Sequence, residues 1–334
     1  MTMDDFLGRW RRDVAISQQA AKTGSSAELR VLAEWSAGGG RSAGLLAPSP
    51  DGTSILAGVD DLTLAWLSLP DLRPKKLECG CRGPDVRGIH WTGPEQAILA
   101  LGTAREQVVE VSLTEGIVRS FQGLPGVAYR SLLSPDRLWL AVSCLDESLF
   151  FFDTDSGLVA GKVRGMACRP GGMAFARDGS LIISSARTGG AVRVQPPSGK
   201  IIETFKWSEK VLDCIAVDPG GRQAAIVEDD SRWAHLLNPA TGERKFTLKA
   251  HKRFINCAAL SSNGRWLATG GGDGTVVLWA TDTGTATLTS THHKCIRPDP
   301  RGSIVEDVRF DRAGKTLFTS GRDGWVRAFE VPKA

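Results

Sequence analysis

Four places in the 334-residue chain hold side chains whose types and spacing could do chemistry. The first is GGGDGTVVLWA at 270–280, with glycines at 270, 272 and 274 around Asp273. Close glycines let backbone amides approach a phosphate, provided that a helix begins there and supplies free N–H groups. The second is Cys79-Gly-Cys81, a thiol pair fit for metal or redox work but with no second pair or histidine at zinc spacing. The third is His292-His293 with Cys295, three metal-binding side chains crowded into the long stretch 289–303, a poor closed site. The fourth is His90 with the adjacent Glu306 and Asp307, ionisable residues in otherwise apolar runs.

What surrounds these residues decides between the chemistries. After the glycines come Thr275, Val276, Val277, Leu278 and Trp279, which suit a strand and not a helix. Before them comes the strand-like run Arg-Trp-Leu-Ala-Thr at 265–269, so the segment reads strand, Asp-Gly turn, strand. The same plan recurs along the chain. Turns appear as SPDG at 49–52, TGPE at 92–95, SPDR at 134–137, ARDG at 176–179, DPGG at 218–221, SSNG at 261–264 and DRAG at 311–314. Each precedes an apolar strand and then a second turn and strand. Seven units spaced by about 42 residues, each with signals for roughly four strands, predict a seven-bladed β-propeller.

The sixth unit carries a family resemblance. His251, followed by SSNGRWLATGGGDGTVVLWATDTG, resembles the WD-repeat (beta-transducin-like) family, and the likeness extends over about 27–334. The family's hydrogen-bond set of His, Ser/Thr, Asp and Trp falls by position on His251, Thr269, Asp273 and Trp279. The resemblance makes this set a structural tie within a blade and not a catalytic dyad. In other units the Asp-to-aromatic spacing recurs as Asp60–Trp66, Asp146–Phe152 and Asp323–Phe329, and no other unit is expected to have a well-placed histidine.

The last unit offers only three strands before Ala334. The run AELRVLAEW at 27–35 is therefore expected to supply the fourth and close the ring, as the resemblance also implies. The stretch 36–44 would link it to blade one. This divides the chain into 1–26 and a propeller at 27–334. Within the first part, Phe6, Trp10 and Val14 recur every four residues, which predicts an amphipathic helix over Asp4–Ala21, packed on the ring or on a partner.

Composition excludes several classes. The excess of 41 basic over 37 acidic residues does not mark a nucleic-acid binder. No apolar run is long enough for a membrane span. Seven scattered cysteines with no signal peptide suit reduced thiols and a cytoplasmic protein. No cofactor or metal is expected. The first strands of the units would line the channel, with His90 and Glu306-Asp307 as their ionisable residues, too few for an enzyme's cage. The resemblance implies that the face with the inter-blade connections binds a protein partner. That face carries Arg87, Arg130, Arg169, Lys210, Trp233, Arg253, Phe254, Arg301 and Trp325, a composition suited to an acidic peptide or protein surface. The same arginines could instead be a solvated rim paired with local aspartates, and Trp233 and Trp325 could instead pack between blades. An enzyme or small-ligand site in the channel and a nucleic-acid contact are the other readings.

Overall fold

The computed structural model describes residues 27–333 apart from 39, 61–62, 79–85, 103–106, 164–171, 185–189, 219 and 294–302. All regular structure among the described residues is strand. The strands form seven sheets, each a blade built on four strands, and segments from the beginning of the chain supply the fourth strand of blade seven and a fifth strand of blade six. The helix expected over Asp4–Ala21 lies outside the described residues.

The second strand of nearly every blade is buried on both faces. Trp266–Gly271 in blade six and Ser54–Val59 in blade one have no exposed residue. Strands buried on both faces read as continuous apolar runs, which is why SILAG and RWLAT were legible as strands. Their two faces serve different neighbours. Leu267 joins the cluster shared with blade five, while Trp266 and Ala268 join the cluster shared with blade seven. Seven such apolar clusters, one per joint between blades, form the core. The recurring turns have a local cause. In SPDG, Ser49 donates to Asp51 at 2.6 Å and accepts from the Ser54 amide at 2.9 Å. Ser261 makes the same clasp with Asn263 at 2.8 Å and the Trp266 amide at 3.0 Å.

The glycine stretch is a turn between two strands, and most of its amides are engaged within the protein. Gly271 N–H donates to Thr275 O, Gly272 N–H to Phe254 O, Gly274 N–H to Gly271 O and Thr275 N–H to Asp273. Gly274 sits at φ +72°, and a Cβ there would lie 2.8 Å from the His293 carbonyl oxygen and 2.9 Å from that of Ser303. Gly274→Ala is expected to cost about 1–3 kcal/mol. A denaturant midpoint equal to wild type would contradict this.

Ring closure is as expected in outline and finer in detail. Val31–Ser36 pairs antiparallel with Trp325–Glu330 and completes blade seven. Ala27–Glu28 does not belong to that strand. It pairs parallel with Thr285–Ser290 and becomes a fifth strand of blade six. Leu29, between the two short strands, is 2% exposed in the joint of blades six and seven. The segment beyond is anchored by Ala37 N–H to Gly324 O and by Ser42 N–H to Asp60.

Candidate functional site

The four residues picked from blade six form one chain of hydrogen bonds. The Trp279 indole can only donate, and it donates to Thr269 Oγ1 at 2.9 Å. The Thr269 hydroxyl proton then goes to His251 Nε2 at 2.7 Å, so His251 carries its proton on Nδ1 and donates to Asp273 at 3.3 Å. Asp273 also accepts from the amides of Lys252 and Thr275. Burial works against its charge, but His251 and these amides hold its carboxyl below the ordinary value. The set is fully employed in tying the entering chain to the central hairpin.

Blade seven repeats this set, against the expectation that only His251 was well placed. His293 bonds Thr319 Oγ1 at 2.7 Å through Nε2 and Asp323 at 2.9 Å through Nδ1. Both nitrogens are engaged and the side chain is inaccessible, so His293 is no metal ligand. His251 precedes its aspartate by 22 residues and His293 by 30. The longer connection hid the equivalence. Phe329 stands where blade six has Trp279, so Thr319 lacks the indole donor. Instead Arg327, at the place of Val277, donates to Asp323 at 2.8 Å and to Glu34 of the closing strand at 2.9 Å.

The channel holds more charge than the expected His90 and Glu306-Asp307. Asp307 is buried and accepts from the Leu46 amide of blade one and from Arg309 Nε, both at 3.0 Å. Arg309, Arg87, Arg130, Arg137 and His90 line a cavity of about 330 Å³ against the inner strands of blades one to three. His90 Nε2 lies 2.8 Å from Ser131 Oγ. Burial, then the charge of Arg309, pushes the His90 pKa down to about 4, and burial lowers that of His293 despite Asp323. Both imidazoles are harder to protonate in the fold than at their ordinary 6.5. The unfolded chain therefore takes up their protons first as pH falls below 6.5, and stability is lost between there and about 4 for His90. Asp213 acts oppositely. Burial and the neighbouring Asp229 raise it to about 6, so its cost is relieved below that pH. His90→Gln is therefore expected to flatten the fall in unfolding midpoint between pH 7 and pH 5, and Asp213→Asn to steepen it. Parallel profiles for the three proteins would refute the assignment.

The partner-face residues fall into two groups. Arg87 and Arg130 belong to the channel, where Arg87 lies 5.7 Å over Tyr129. Trp233, Arg253 and Phe254 gather at the joint of blades five and six, where Ile255 N–H donates to Ser231 O and Arg253 donates to Gly272 O and lies 5.7 Å over Phe254. Lys210 sits one joint back, between blades four and five, where its carbonyl accepts from Gly190 N–H and its ammonium pairs with Glu228 at 3.5 Å. Trp233 is 39% exposed, with Lys249 at 4.4 Å and Arg232 at 5.8 Å from its ring, so it does not pack between blades. Trp325 is partly buried beside Arg327 at 5.2 Å and pairs with Ser36. Arg169 and Arg301 lie outside the described residues. The face is not uniformly basic: the turn residues Asp229 and Asp230, legible on this face in the sequence, are joined by Asp213 in an acidic group on blade five.

The model of the WD domain, G-beta repeat, matches residues 242–280, which hold the complete set of blade six. Three curated relatives share the description "Periodic tryptophan protein 2 homolog". The one from Caenorhabditis elegans is 24% identical over 161 residues, 48% of this chain and 17% of that protein. The one from Dictyostelium discoideum is 25% identical over 171 residues, 50% of this chain and 18% of that protein. The one from Schizosaccharomyces pombe is 28% identical over 129 residues, 38% and 14%. The matches thus span less than a fifth of each relative's length. No helix among the described residues is long and apolar enough to cross a membrane. With seven four-stranded blades, a strand from the beginning of the chain closing the last of them, and the His–Thr–Asp set in two adjacent blades, the chain belongs to the WD-repeat β-propeller family.

Proposed function

We propose that this propeller is a non-catalytic scaffold subunit whose partner is an acidic protein segment lying over the joint of blades five and six. WD-repeat propellers are in general interaction scaffolds without catalytic activity. The observation that carries the finer reading is Trp233, a large apolar ring left 39% exposed between two cations. An exposed aromatic beside basic side chains is the composition of an interface anchor. Acidic groups of a partner would meet Lys249 and Arg232 while an apolar side chain covers the indole. A cytosolic setting is part of the proposal and agrees with Cys144, Cys214 and Cys257 being buried, unpaired thiols. A second contact through the segment Asp4–Ala21, where the sequence leads us to expect a helix, completes it.

The test titrates the full chain with a panel of acidic peptides containing aromatic residues, and repeats each with Trp233→Ala and with Lys249→Glu. Binding that weakens about tenfold or more in both variants is the expected result. Peptides that bind all three proteins alike would remove this surface as the site.

A further inference from the structure

The geometry points to the channel cavity between blades one, two and three as a binding site for a small, multiply charged oxyanion of phosphate type. This goes beyond the scaffold reading and uses different residues.

The sign of the lining is one-sided. Its ionisable groups among the described residues are Arg87, Arg130, Arg137, Arg309 and His90, with no carboxylate. Asp307 offsets Arg309, but through Nε alone at 3.0 Å, which leaves the two terminal nitrogens outside that bond. The Arg137 guanidinium makes one long contact among the described residues, 3.4 Å to Thr92 O. Among the described residues Arg130 has no ion pair. Guanidinium groups are the usual partners of phosphate oxygens because their paired N–H groups match them two at a time.

The site also departs from the repeat that surrounds it. His90 lies opposite Ile98, and Arg309 opposite Phe318, at one register position of the inner strand. The other blades place Ala47, Leu132, Ala174, Ala216 and Ala259 there. Small or apolar residues suffice to build the ring. The long polar pair occurs only in blades two and seven, and both members reach this one cavity. Ser131, 2.8 Å from His90, adds a hydroxyl. The field is felt inside the site, since Arg309 helps to depress the basicity of His90. A volume of about 330 Å³ exceeds what one inorganic phosphate needs and sits at the small end of ligand pockets. Concentrated positive charge in a partly desolvated cavity strengthens attraction to an anion over its value in water.

Pyrophosphate is the probe, titrated calorimetrically into the full chain in low-chloride buffer. Saturable one-to-one binding is expected, weakened about ten- to a hundredfold by Arg130→Gln. His90→Gln should weaken it less, and Lys162→Gln on the outer strand of blade three should leave it unchanged. Thermal unfolding of each variant without ligand confirms that the fold survives. Three outcomes overturn the proposal: no saturable binding at millimolar pyrophosphate, an equal loss in Lys162→Gln, or acidic peptides that compete for Arg130 where pyrophosphate does not bind. Trp233→Ala is expected to keep pyrophosphate binding, so failure of the peptide site and failure of the channel site are read separately.

Discussion

Arg327→Met is expected to destabilise the propeller by about 3–5 kcal/mol, the usual cost of leaving one partner of a buried ion pair behind. Arg327 is 5% exposed, and its bond to Asp323 runs between two groups whose side chains are both 7% exposed. Without it Asp323 keeps His293 and the Trp325 amide at 3.2 Å, but a carboxylate oxygen loses its cation. The other end of the guanidinium binds Glu34, whose side chain is 40% exposed. Solvent screens that contact, so Glu34→Gln should cost less than about 1 kcal/mol. Arg327→Lys should fall between, because an ammonium cannot fork onto both carboxylates. Denaturant unfolding of the four proteins checks the order. An Arg327→Met midpoint no lower than that of Glu34→Gln would mean that the closing joint does not depend on this group.

The second large effect lies one blade back and has an internal control. Thr269→Val orphans two buried groups, Trp279 Nε1 and His251 Nε2, and should cost about 2–6 kcal/mol at 1–3 for each. The same substitution at Thr319 orphans only His293 Nε2, because Phe329 replaces the indole. Its expected cost is about half. The two threonines are both wholly buried, which removes differences in exposure from the comparison. Equal losses at the two sites would show that the indole bond contributes nothing measurable.

The architecture was legible because its causes are local. Turn clasps such as Ser49 with Asp51 recur at fixed offsets, and double-sided burial turns the second strands into unbroken apolar runs. Within blade six the complete set His251, Thr269, Asp273 and Trp279 could be named by position from the family resemblance. What escaped notice depends on partners far apart in sequence. His293 was masked by a longer connection to Asp323. Arg309 stood in plain view in the last inner strand, but its meaning comes from sharing one cavity with His90. Trp233 and Trp325 hold equivalent places after their turns and still differ in exposure. One pairs with Ser36 of the closing strand, the other with Lys249 on an open edge. No reading of either tryptophan's own surroundings in sequence contains that difference.

The divided strand at the beginning of the chain has a kinetic consequence. Arg30 meets Glu330 across 300 residues, so the segment that closes the ring is synthesised early and employed last. Until then blade seven has an open edge and blade six lacks its fifth strand. Contacts this distant are slow to form because the loop entropy must be lost first. During that interval the same segment can pair with the open blade of a second copy, which makes exchange of ends between chains the natural misassembly of this ring. Once home, the segment grips two blades at once, so a pull applied ahead of Ala27 meets the parallel pairing with Leu288 and Thr289 in shear before it reaches the closing strand.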